Sequence, residues 1–116
     1  MANAIFLRQS FLGEKSESIF RDARVAIVGL GGGGSHIAQQ LAHIGVGKFL
    51  LIDPDIMELK NLNRTVGSKR IDPTLRRLKV KVSRRLIKGI KPFAHVRCIS
   101  ARWEEVGTMS RSQLKV

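Results

Sequence analysis

Two short apolar runs with an amphipathic stretch between them set the frame of this chain. Residues 24–29 place Val25, Ala26, Ile27 and Val28 in succession and end on glycine, the pattern of a β-strand buried on both faces. Residues 48–53 repeat it with Phe49, Leu50, Leu51 and Ile52, and Pro54 cuts the run off. Between them Ser35 opens a segment in which Ile37, Leu41 and Ile44 share one helical face; Ala38 and Ala42 keep that surface slim, and Gly45 stops it. Strand, helix and strand within about 30 residues form a βαβ unit. Its crossover is right-handed and its strands are parallel, so the glycines after the first strand and Asp53 after the second share one carboxyl edge of the sheet.

The flanks are read more coarsely. Residues 15–22, with Ile19 and Phe20 among polar neighbours, predict a short amphipathic helix leading into the core. Residues 56–70 form a long polar connection, and loops of that length in small domains usually serve function. Asp72-Pro73 gives a helix cap and a first-turn proline. The helix so begun runs to about Ile90, with Leu75, Leu78, Val82, Leu86 and Ile90 on its apolar face. Residues 94–100 alternate as a third strand, and 101–116 show no clear periodicity. The prediction is one α/β domain over 1–116 with a Rossmann-like parallel sheet and flanking helices: an arm over 1–23, the βαβ-loop-αβ unit over 24–100 and a tail over 101–116. A third strand left open at its edge invites pairing, so a homo-oligomer or a partner chain is expected.

Composition adds limits. With 116 residues and 43% hydrophobic side chains the chain suits one core. Its longest apolar runs are a few residues, far below the roughly 20 that span a bilayer. The N-terminus shows no apolar stretch ending in a cleavage site, so a cytoplasmic protein is expected, without membrane contact. The lone Cys98 makes neither an internal disulfide nor a CxxC metal pair and is expected to be a buried thiol. The formal charge is +12, and twelve of the 21 basic residues fall between Lys60 and Lys91 beside a single acid, Asp72. Such an excess raises affinity for polyanions.

The chemistry concentrates in the first crossover. Gly29, Gly31 and Gly34 form G-x-G-x-x-G between predicted strand and predicted helix, followed by Ser35. Glycines there let the backbone turn sharply and approach a phosphate, while free N–H groups and the helix dipole attract the anion. Asp53 stands 24 residues after Gly29, where an acid commonly accepts from ribose hydroxyls; the other reading is a turn residue before Pro54. A dehydrogenase would continue with another crossover helix. Here Asp53, Asp55, Glu58, Asn61, Asn63 and Arg64 follow in a polar loop, an inventory that suits a triphosphate and a metal better than a dinucleotide. On the basic helix Lys79 alone falls within the apolar arc, where an ammonium is costly without an anion close by. It either reaches toward phosphates or snorkels to the surface. The remaining bases read as a solvated face rather than a nucleic-acid surface, and with aromatics at 5% there is little to stack bases on.

Taken together, the glycine loop ending in Ser35, then Gly45-Val46-Gly47, then Asp53-x-Asp55, then Asn61-Leu62-x-Arg64, then Lys79 thirteen residues before Pro92, resemble the ThiF/MoeB/HesA family of ubiquitin-activating enzyme-like adenylyltransferases, over about residues 24–92. The resemblance implies ATP with Mg2+ and acyl adenylation, in which the C-terminal carboxylate of a ubiquitin-like or sulfur-carrier protein attacks the α-phosphate and releases pyrophosphate. It implies Gly31, Gly32 and Gly34 at the phosphates, Asp53 at the ribose, and Asn61, Arg64 and Lys79 at the triphosphate and the adenylate transition state. Arg8, followed by Gln9, is matched with an arginine that reaches a partner subunit's site. The pattern is also incomplete. The family's magnesium-binding aspartate lies after a further strand and crossover, and no aspartate follows Asp72, so no residue is assigned to metal and the fold is read as truncated relative to the family. Thr65 stands where many members have glutamine, and Lys91 where asparagine often precedes the proline. A nucleotide-binding regulatory module without catalysis, and an NAD-dependent oxidoreductase domain, are the competing readings.

Overall fold

The two strands of the predicted βαβ unit pair in parallel, and a third joins them. A computed structural model describes residues 14–107 of the chain, with side chains from residue 17. Helix α1 (Glu14–Asp22) leads into β1 (Arg24–Val28). Helix α2 (Gly32–Ile44) crosses to β2 (Lys48–Ile52), a 3-10 turn (Leu59–Asn61) and one helical turn α3 (Ile71–Thr74) follow, and α4 (Lys79–Ile90) returns to β3 (His95–Ile99) before the short α5 (Trp103–Val106). The strand order is β1-β2-β3, with Arg24 opposite Lys48 and Lys48 opposite His95. Two right-handed crossovers stepping in one direction put both helices on the same face of the sheet. There Ile27, Phe49 and Leu51 pack with Ala38, Ala42, Val80 and Ile87. The opposite face holds a smaller cluster of Leu50, Ile52 and Ile99 under Ala101 and Val106 of the following turn.

The one-sided cover corrects the reading of β1. Among the described residues it is an edge strand, not a strand buried on both faces: Ile27 is buried while Arg24, Ala26 and Val28 are exposed. Helix α2 also differs from its prediction. It starts inside the glycines, and its buried face is Ser35, Ala38 and Ala42, with Ile37 and Ile44 half out in solvent. Small side chains let the helix lie close to the sheet, and that close approach leaves the larger residues to flank the contact. Gly45 ends α2 in the left-handed conformation, as expected of a C-terminal glycine.

The single helix predicted over 72–90 is broken. Arg76 has φ of 50°, and an antiparallel bridge joins Ile56 to Leu78. Around it the Met57 N–H donates to the Arg77 carbonyl at 2.7 Å and the Lys79 N–H to the Asp55 carbonyl at 3.0 Å. These bonds take the backbone groups that a continuous helix would need. Leu75, counted into the apolar face, is therefore exposed, while Val80, Val82 and Ile87 face the core. Asp72 does not cap a helix at a surface. It is wholly buried and accepts from the Lys69 N–H at 2.6 Å and from both terminal nitrogens of Arg85.

Candidate functional site

At the carboxyl edge of β1 the chain turns on Gly29, whose φ of 84° suits glycine, and the Gly29 N–H still donates to the Ile52 carbonyl at 2.9 Å. A Cβ on Gly34 would overlap the Gly29 carbonyl oxygen, so the start of α2 lies directly against the turn. The helix opens on glycines 32–34, and the first N–H to bond back is that of Ser35, to the Gly31 carbonyl at 3.0 Å. The three glycine N–H groups before it have no helical acceptor. A Cβ on Gly31 or Gly33 would meet nothing within 4 Å. Unsatisfied donors, the positive end of a 13-residue helix and open space in front of them make an anion cradle.

Asp53 is buried at the end of β2, and its carboxylate braces this cradle. One oxygen accepts from the Leu30 N–H at 2.7 Å and the other from the Asp55 N–H at 2.8 Å. Each oxygen keeps a further lone pair for a hydroxyl. The Ser35 hydroxyl is engaged below the cradle: it donates to the Gly32 carbonyl and accepts from the Val66 N–H, both at 3.0 Å. That second bond lays the 61–66 segment beside α2, and a Cβ on Gly32 would stand 3.5 Å from the Arg64 carbonyl oxygen. Arg64 itself is exposed. Asn61 is buried, and its side-chain oxygen accepts from the Glu58 N–H at 2.9 Å as one half of a reciprocal cap.

Lys79 is the first residue of α4 and is buried, as expected, but not through the helical register that suggested it. The Ile56–Leu78 bridge brings it in, and its ammonium lies 3.7 Å from an Asp55 carboxylate oxygen. Gly29, Gly31, Gly32, Gly34, Asp53, Asp55 and Lys79 are thus joined through named bonds and contacts at one edge, with Arg64 alongside. Arg8 lies outside the described residues. Among the described residues no group of three or more His, Cys, Asp and Glu side chains could hold a metal ion.

Sequence reasoning passed over three features here. Gly33 fronts the same open space as Gly31, and the motif did not mark it. The Asp55–Lys79 pair depends on a contact between distant segments. The Thr65 hydroxyl is buried without a hydrogen-bond partner among the described residues, next to Arg64, and its departure from glutamine was the one available signal.

Comparison with known proteins bears on this arrangement. The ThiF family model matches residues 5–115. The tRNA threonylcarbamoyladenosine dehydratase of Escherichia coli is 38% identical over 84 residues, 72% of this chain and 31% of that protein. The molybdopterin-synthase adenylyltransferase of Salmonella typhimurium is 36% identical over 92 residues, 78% of this chain and 36% of that protein. The chain therefore spans about a third of the length of these relatives. The crystal structure of the E. coli dehydratase in complex with ATP superposes with a TM-score of 0.76 at 33% identity, over 85% of this chain and 41% of that one.

Proposed function

The chain belongs to the ThiF family, and from that premise we propose that its cradle binds ATP and serves the adenylation of a carboxylate. The observation that carries the reading is the line of contacts along one sheet edge, from the Leu30 N–H before α2 through Asp53 and Asp55 to Lys79 at the start of α4. Two helix N-termini and a lysine at one edge favour a polyphosphate. Gly31, Gly32 and Gly33 admit the phosphates, and Gly34 sets the turn. Asp53 has lone pairs left for the ribose hydroxyls. The donor end of the Asn61 amide and the charges of Arg64 and Lys79 offset the negative charge that builds up as a carboxylate oxygen attacks the α-phosphorus and pyrophosphate departs. Mg2+ is the usual companion of the triphosphate and is assigned to no residue. Arg8, from a second subunit, completes the set in a dimer, and a ubiquitin-like or sulfur-carrier protein is the acceptor that the family suggests.

A second acceptor class, RNA, is favoured by the surface of α4. Lys81, Arg84 and Lys88 fall within an arc of about 60° at 100° per residue, and the one acid of the 60–91 stretch is buried against Arg85. The similar E. coli protein is by name a tRNA-modifying enzyme.

Titration calorimetry of the chain with Mg-ATP, with NAD and with Lys79→Ala tests the first reading. ATP binding that Lys79→Ala weakens about tenfold or more, the range of a lost charged hydrogen bond, supports it. Preference for NAD, or indifference to the substitution, refutes it. Pyrophosphate exchange stimulated by a candidate carrier protein tests the reaction itself.

A further inference from the structure

Lys79 has an unusual setting for a lysine. Its side chain is 11% exposed, it opens a helix whose first turn contains no acid, and the helix end it occupies carries positive potential. Its carboxylate neighbour, Asp55, is 64% exposed, and their 3.7 Å separation is an ion pair without a short hydrogen bond. The Asp55 backbone, by contrast, is pinned on both sides: its N–H donates to Asp53 at 2.8 Å and its carbonyl accepts from the Lys79 N–H at 3.0 Å. The side chain is free to swing out while the main chain stays fixed.

We infer that Asp55 is a place-holding counter-ion for Lys79, a positioning residue that engages the ammonium and gives way to a polyphosphate. This rests on the reading of the cradle as a phosphate site and goes beyond it. Asp55 then acts on the nucleotide only indirectly, through Lys79. Its consequence is selectivity. A ligand must offer enough negative charge to both the α2 glycines and Lys79 to displace a tethered carboxylate, so a triphosphate succeeds where a single inorganic phosphate does not.

The test is calorimetry of the chain with sodium tripolyphosphate and with inorganic phosphate, on the natural sequence, Asp55→Asn, Lys79→Ala and the double substitution. Asp55→Asn is expected to tighten tripolyphosphate binding about two- to fivefold, the range of a partly exposed ion pair, and to narrow its advantage over inorganic phosphate. Lys79→Ala is expected to weaken tripolyphosphate binding, and Asp55→Asn added to it to bring no gain. Because the Asp55 carboxylate makes no hydrogen bond to the fold among the described residues, Asp55→Asn should melt like the natural chain. If Lys79→Ala weakens binding but Asp55→Asn leaves it unchanged or weakens it, the place-holder role is wrong while the phosphate site stands. If the Asp55→Asn gain persists in full without Lys79, the aspartate acts only through its general field and the inference is likewise overturned. If tripolyphosphate does not bind, or Lys79→Ala has no effect, the phosphate-site reading falls with it.

Discussion

Asp72 and Arg85 meet in a two-pronged ion pair, Nη1 to Oδ1 at 2.8 Å and Nη2 to Oδ2 at 2.7 Å, with the carboxylate wholly out of solvent. The same guanidinium donates to the Gly67 carbonyl at 2.8 Å, and Arg77 stands 3.6 Å from the carboxylate. One buried aspartate thereby ties the end of the long loop and the α3 turn to α4. The hydrogen-bonded Arg85 guanidinium, helped by the Lys69 N–H, holds the Asp72 carboxyl below its ordinary value against the opposing effect of burial.

Removing that carboxylate leaves Arg85 without its counter-charge. Asp72→Ala should cost about 3 kcal/mol in urea unfolding, the lower end for a broken buried pair because Arg85 is partly exposed. The pH dependence follows in sign. With the folded value depressed, the stabilisation is complete above the unfolded aspartate value and is lost as pH falls through the folded one. An acid limb that is as steep in Asp72→Ala as in the natural chain would show that this pair is not its source.

Gly34 and Gly33 are adjacent and should respond in opposite ways. A methyl on Gly34 collides with backbone at Gly29, so Gly34→Ala should lose at least about 2 kcal/mol of stability. Gly33→Ala points into open space on a helix, and its stability should match or exceed the natural chain by up to about 1 kcal/mol. Calorimetry should nonetheless show ATP binding reduced in Gly33→Ala. Unchanged binding would place the phosphates elsewhere.

The outward stripe of α4 makes a separate prediction. If RNA lies across Lys81, Arg84 and Lys88, changing all three to Gln should make the negative slope of log affinity against log salt shallower by about 2–3, at roughly 0.7–0.9 per phosphate contact. Filter binding with tRNA over a salt series measures it. A slope that does not move would return these residues to an ordinary solvated face.

The parts of the fold that were legible in the sequence are those set by neighbours in the chain. Val25 to Val28, the glycines and Ser35 announce strand, turn and helix within a dozen residues, and Asp53 follows at the end of the next apolar run. The break at Arg76–Leu78 was not legible. Leucine, arginine and lysine favour a helix there, and what overrides them is pairing with residues 55–57, a contact across some twenty residues of loop. Helix α2 was misoriented for a related reason. Counting apolar bulk puts Ile37 and Ile44 inside, whereas the close approach of helix to sheet selects Ala38 and Ala42. Asp72 looked like a cap because its arginine partner lies thirteen positions away.

A run with glycine at 29, 31, 32, 33 and 34 is the costliest stretch of this chain to order, since glycine loses more freedom than any other residue. In this fold the chain's own groups hold the run: Asp53 holds the Leu30 N–H, Gly34 rests on Gly29 and the Ser35 hydroxyl holds the Gly32 carbonyl. Contacts within the protein thus offset part of the cost of ordering these glycines, which under the proposed function would otherwise fall on phosphate binding.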